Sequence, residues 1–111
     1  MNKYRAKKTE YNGVLYDSKK EAYRARQLDL LFKAGKISRL ERQVKFCLQE
    51  GFVNNQGKKI RPIDYIADFV YYDEEKKLMV AEDSKGFRPK EYILKRKMFE
   101  YKYKDYLFIE S

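Results

Sequence analysis

Residues 61–85 read RPIDYIADFVYYDEEKKLMVAEDSK, and this stretch decides the fold. Residues 61–72 are rich in β-branched and aromatic types, as a strand prefers, and residues 77–84 are apolar up to an acidic end. Asp73-Glu74-Glu75-Lys76 between them is a polar four-residue turn, so the two segments predict an antiparallel hairpin. With Tyr72 opposite Lys77, Asp68 faces Ala81 and shares a sheet face with Asp83 and Lys85. Two carboxylates from neighbouring strands then converge, with an ammonium one pleat beyond them. Hard divalent cations take oxygen ligands of this kind, one or two carboxylates with waters and a substrate phosphate completing the shell. Asp64, four residues from Asp68 on the same predicted face, is an alternative ligand. Glu82 points to the opposite face and reads as a solvated or packing residue.

Upstream, residues 43–49 (QVKFCLQ) alternate as a strand, and EGFVNNQGKK at 50–59 carries Asn and Gly residues that mark a loop or hairpin extension. Cys47, between Phe46 and Leu48, reads as a small buried strand residue. Gln43 is either polar lining for a cleft or the end of the preceding turn. Further upstream, Ser18 with Glu21 three residues later makes a capping box, Ala25, Leu28, Leu31 and Phe32 follow at helical spacing, and Gly35 stops the helix. Positions 21, 25, 28 and 32 form one stripe, so Glu21 continues the face turned to the sheet. It reads equally as the cap residue and as an acid aimed at the metal site. Asn12-Gly13 predicts a short N-terminal hairpin. Downstream, Pro89 suits the first position of a second helix running to about Tyr103, anchored by Ile93-Leu94 and Met98-Phe99. Tyr106-Leu107-Phe108-Ile109 reads as a last strand. The predicted class is α/β (α+β), in the order helix, three strands, helix, strand.

The whole chain bounds these readings. With 111 residues and no repeat or linker it is one domain, with residues 1–8 a flexible basic arm. Leu, Ile, Val and Phe make up about a quarter of it, enough for a folded core. No segment resembles a signal peptide or a membrane span, so no membrane is expected to be involved and a soluble intracellular protein is. The absence of His excludes Ser-His-Asp triads, Cys-His dyads and His-ligated metals, and the lone Cys excludes an internal disulfide. Catalysis must use carboxylates, Lys, Arg or Tyr. The 26 Lys and Arg against 17 Asp and Glu leave a net charge of +9, which suits a nucleic-acid phosphate surface. Arg88, Lys90, Lys95, Arg96 and Lys97, followed by Lys102 and Lys104, predict phosphate tracking in place of base reading.

The Asp68 … Asp83-Ser84-Lys85 pattern on a hairpin, preceded by helical Glu21 and followed by a helix and a strand, resembles the PD-(D/E)xK nuclease superfamily with its restriction-endonuclease-like core. More narrowly, YDSKKEAYRARQLDLLFKAGKISRLERQ at 16–43, YIADFVYYDEEKKLMVAEDSKG at 65–86 and YILKRKMFEY at 92–101 look like a family of small bacteriophage and prophage proteins of unknown function. That family is usually placed with Holliday-junction resolvase-like nucleases. The likeness implies a mixed sheet flanked by helices, DNA as partner and the cytoplasm of a bacterial host as location. It makes Asp68 and Asp83 the metal-binding acids, Lys85 the motif lysine and Glu21 the acid of the first helix. Glu21 then acts through the metal's hydration shell or holds a second ion. The cofactor implied is Mg²⁺, with Mn²⁺ as a substitute, held also by the backbone carbonyl of Ser84. The reaction is metal-assisted phosphodiester hydrolysis, with Lys85 orienting the water and stabilising charge on the phosphorane. Lys95 lies in the segment placed nearest the site. The chain departs from the pattern before Asp68, where Ala67 replaces Pro, and Pro62-Ile63-Asp64 only imitates that element. Two symmetric cuts would need a homodimer. The alternatives are a nucleic-acid-binding module with structural acids and an interaction protein whose Lys-rich surface meets an acidic partner.

Overall fold

The computed structural model describes residues 7–111. Most of the basic arm expected at 1–8 lies outside the described residues; Lys7 and Lys8 have no regular secondary structure. Asn12 and Gly13 take positive φ of 53° and 81°, the type I′ geometry that only small or amide residues adopt cheaply. They close the hairpin of β1 (Thr9–Tyr11) and β2 (Val14–Tyr16). Helix α1 (Lys19–Lys33) begins where Ser18 Oγ accepts the Glu21 N–H at 3.0 Å, satisfying a donor the helix itself cannot. Gly35, at φ 75°, ends it. The buried stripe of α1 runs Ala22, Ala25, Leu28 and continues on half-buried Leu31, so Phe32, expected on this face, is instead 47% exposed.

Strand β3 (Ile37–Gln49) starts six residues before the alternation at 43 announces it. Its first half is masked in sequence by charge and by two left-handed residues, Arg39 (φ 55°) at a bulge and Gln43 (φ 54°). Gln43 is therefore inside a strand and does not end a turn. The predicted extension is a small hairpin of β4 (Phe52–Val53) and β5 (Lys59–Ile60). Strands β6 (Ile63–Asp73) and β7 (Leu78–Asp83) form the expected antiparallel hairpin, but the register differs. Tyr72 pairs with Met79, not Lys77, because Asp73 Oδ1 accepts the N–H groups of Glu75 and Lys76 and winds residues 74–77 into the turn. A shift of two residues by itself keeps Asp68 and Asp83 on one face. It also moves Asp68 from beside Ala81 to the rung of Asp83.

Helix α2 (Lys90–Lys102) follows Pro89, which is the cap at φ −66° and ψ 157° and not the first helical residue. Its buried face is Tyr92 and Phe99. Ile93 and Leu94, expected as anchors, are exposed because the seven-residue spacing from 92 to 99 selects the neighbouring stripe. Strand β8 (Tyr106–Glu110) then pairs with β7 in parallel.

The result is an α+β domain with a mixed four-stranded sheet in the order β3-β6-β7-β8 and a helix on each face. On the α1 side Ala22, Ala25 and Leu28 pack on Phe69, Tyr71 and Val80; on the α2 side Tyr92 and Phe99 pack on Phe46, Tyr65 and Ala81. Alternation along β6 slips once. Tyr65 and Ala67 join the α2-side core whereas Phe69 and Tyr71 join the α1-side core, although all four positions are odd. In β3, Leu40 belongs to the α1 side and Val44 and Phe46 to the α2 side, so the slip there spans left-handed Gln43. Both strands thus change face around the Gln43 and Asp68 level, where the candidate site lies.

Candidate functional site

Asp68 sits at that slip, and its Oδ2 accepts the Ser84 N–H at 2.8 Å. Asp83, on the last residue of β7, is 1% exposed. The two acids act on each other: the Asp68 carboxyl is pushed up to about 7, first by burial and then by the Asp83 charge, against the Ser84 N–H that favours its ionised form. Tyr65 donates its hydroxyl to Asp83 Oδ2 at 2.5 Å, and burial followed by the same carboxylate drives the phenol far above its ordinary range. Lys85 Nζ lies 3.2 Å from Asp83 Oδ1, an ion pair without an aligned N–H, so Oδ1 has no hydrogen-bond partner. The Lys85 ammonium also rests 4.8 Å from the centroid of the Tyr92 ring. Lys20 Nζ donates to the Lys85 carbonyl at 2.9 Å, tying the start of α1 to the segment after β7.

Glu21 is 4% exposed, as its place on the helical stripe predicts. Ser18 caps the helix through the Glu21 N–H, a backbone contact that makes no demand on the Glu21 side chain. Its carboxylate is bridged to the pair by one side chain: Gln43 Nε2 donates to Glu21 Oε2 at 3.3 Å and to Asp68 Oδ1 at 3.4 Å. Arg42 Nη2 stands 3.9 Å from the same Oε2. Burial, then the Asp17 charge, raises the Glu21 carboxyl above its ordinary value. Among the described residues no three acidic or sulfur side chains close into a cluster able to hold an ion by themselves. The amide of Gln43 keeps Glu21 one bond away from Asp68.

Other expectations are narrowed or corrected. Of the two readings of Glu82, solvated or packing, the second holds: on the opposite face and at 0% exposure, its carboxylate takes both Arg24 Nε and, at 3.0 Å, Arg24 Nη2, plus the Tyr71 hydroxyl at 2.7 Å. A carboxylate there needs that full complement of donors. Cys47 is only half-buried, with Sγ 3.3 Å from Glu50 Oε2. Asp64 falls out of phase with Asp68 through the slip, and lines a cleft of about 430 Å³ together with Tyr65, Asp83, Lys85, Tyr92 and Lys95. The cleft lies along β6 where β7 has ended and left its edge open.

The expected phosphate contacts divide into two groups. Lys90 and Lys97 are exposed. Lys95 pairs with Glu91 at 3.4 Å, while Arg88 and Arg96 both meet Glu110, at 2.9 Å and 3.5 Å. Tyr65, Arg24 and Glu110 are the residues that sequence reading missed. The first two resembled ordinary core and surface positions, and only the acid ending an apolar strand hinted at the third. No helix among the described residues is long and apolar enough to cross a membrane. A family model described as "Protein of unknown function (DUF1064)" matches residues 1–109. No curated protein and no solved structure matches the chain.

Proposed function

The chain belongs to the DUF1064 family, and from the side chains gathered around Asp68 and Asp83 we propose that it is a metal-dependent DNA endonuclease with a restriction-endonuclease-like core. The observation that carries this reading is the convergence of Asp68, whose Oδ2 accepts the Ser84 N–H at 2.8 Å, on buried Asp83, with Lys85 Nζ 3.2 Å from the second acid. The donor set suits a divalent cation. Two adjacent carboxylates repel unless a proton or a cation lies between them, and Asp83 Oδ1 is buried without a hydrogen bond. Asp68, Asp83 and the Ser84 carbonyl would hold Mg²⁺ or Mn²⁺, with Glu21 reaching it through water. When bound, such an ion polarises a phosphoryl oxygen and lowers the pKa of a coordinated water.

The chain's own groups then have separate tasks. Tyr65 keeps Asp83 oriented by donating to Oδ2. The Ser84 N–H does the same for Asp68. Lys85, on its short tether beyond β7, donates to the non-bridging oxygen on which charge develops, and leaves Asp83 to do so. The cleft along the open edge of β6 receives the strand to be cut, with Lys95 on its rim. The element order α1, β3, β6, β7, α2, β8, with the two small hairpins set aside, supports this reading.

The test incubates purified protein with linear duplex, single-stranded and four-way-junction DNA, with Mg²⁺, with Mn²⁺ and with chelator. Cleavage requiring the metal is expected in wild type. Asp83→Asn and Lys85→Ala are each expected to lower it by at least about 100-fold, the scale on which losing one transition-state stabilising group acts. Binding that weakens with salt but never yields cut product would instead identify a non-catalytic DNA-binding module.

A further inference from the structure

Asp83 pairs in register with Glu110 of β8, so the rung bearing the acidic pair continues to a third acid. Glu110 is surrounded by donors. Arg88 contributes Nη2 at 2.9 Å and Nε at 3.0 Å, both to Oε1, while Tyr92 donates its hydroxyl to Oε2 at 2.6 Å and Arg96 Nη1 lies 3.5 Å from Oε2. Arg88, Tyr92 and Arg96 are spaced by four, so they rise as one stripe from the loop before α2 onto the helix. The Tyr92 ring that carries the Lys85 ammonium on its face carries Glu110 on its hydroxyl, which places this cluster directly beside the candidate site.

Exposure within the cluster is uneven. The Arg88 side chain is 51% exposed and that of Arg96 38%, whereas the Glu110 side chain is 18% exposed. The cations thus face solvent with Glu110 behind them; Arg96 Nε also meets the half-exposed Glu100 at 3.3 Å, so Arg88 is the cation that Glu110 alone holds. The Arg88 fork takes a single carboxylate oxygen through two nitrogens, and the same fork suits a phosphate oxygen.

We propose that Arg88, Tyr92 and Arg96 form a subsite for a DNA backbone phosphate neighbouring the one at Lys85, and that Glu110 is an internal anion which shapes this subsite and is displaced when DNA enters. The inference deepens the DNA reading above and rests on it. Glu110 therefore opposes binding while preorganising the arginines. If Glu110 were only a structural clasp fixing α2 to β8, any change of affinity on its removal would be the same with and without the two arginines.

The experiment measures fluorescence anisotropy of a labelled duplex over a salt series in chelator, where no cutting occurs. Glu110→Gln is expected to bind at least about threefold more tightly, with a salt dependence steeper by roughly one unit of slope. Arg88→Gln and Arg96→Gln should each flatten the slope by about one. Adding Glu110→Gln to the double arginine variant should give no gain. A gain that persists without the arginines, or a Glu110→Gln variant that binds equally or more weakly, would overturn the subsite. Should Glu110→Gln fail to fold, the two single arginine variants decide alone, and unchanged slopes overturn it. Cleavage is assayed separately with Mg²⁺: its absence together with the expected affinity pattern overturns the nuclease reading and leaves the subsite standing, while no DNA binding by any variant overturns the subsite.

Discussion

The carboxyl of Asp68 is the most strongly placed titratable group of the site, and its environment has a direct consequence for stability. It titrates near 3.8 in an unfolded chain and is pushed up to about 7 in the fold, by burial first and the Asp83 charge second. The native state therefore binds more protons between these values. The contribution to stability is fully present below the unfolded value and is lost as pH rises through the folded one. Asp68→Asn keeps an acceptor for the Ser84 N–H and removes the repulsion. It is expected to be more stable than wild type at about pH 8 and to lose that advantage by about pH 4, as read from urea midpoints. Glu21 is shifted in the same direction and its charge is one of those that raise Asp68, so Asp68→Asn relieves this repulsion as well and the sign of the difference is unchanged; Glu110, shifted the opposite way, is common to the two proteins. Alternation, helical spacing and the family resemblance together singled out Asp68, Asp83, Lys85 and Glu21. They were silent on Tyr65, because a Tyr in a strand reads as core until its hydroxyl is found 2.5 Å from a buried acid.

At the scale of elements, the decisive feature is the left-handed Gln43 in the middle of β3. A non-Gly residue there costs on the order of 1–2 kcal/mol, and the side chain it carries bridges Glu21 to Asp68. The two effects can be separated. Gln43→Ala and Gln43→Gly both lose the bridge, but only glycine relieves the backbone. Gln43→Gly is expected to be more stable than Gln43→Ala by about 1 kcal/mol in urea unfolding, the reverse of the ordinary strand preference. The capping box, the Asn-Gly hairpin and the terminal strand were legible because each is a local motif with its own stereochemical reason. The first half of β3 was not, since its alternation is broken twice by left-handed residues.

For the whole molecule, the sheet keeps two cores apart and brings the C-terminal end of β7, the start of α1 and the loop before α2 to one place. An ion held there binds the folded chain and not the unfolded one. Any such ligand raises stability by RT ln(1 + [L]/Kd), about 2.7 kcal/mol at a hundredfold excess over Kd. Magnesium at about 10 mM is therefore expected to raise the thermal midpoint of wild type at about pH 8 relative to chelator at matched ionic strength. The shift should vanish in Asp83→Asn. An equal shift in both proteins would place the ion elsewhere. The net charge of +9 adds a background attraction for phosphates, which is why the salt series and not a single affinity is the informative measurement.

Amino-acid order alone determined the element types, the hairpin at the centre of the sheet and the common face of its two acids, because strand alternation survives a register error of two residues. Only the tertiary structure decided that Asp68 lies on the rung of Asp83, that Gln43 stands between Glu21 and the pair, and that Glu82 is buried against Arg24. These relations are set by the length of the β6–β7 turn and by contacts between residues as far apart as positions 24 and 82, which no local spacing encodes.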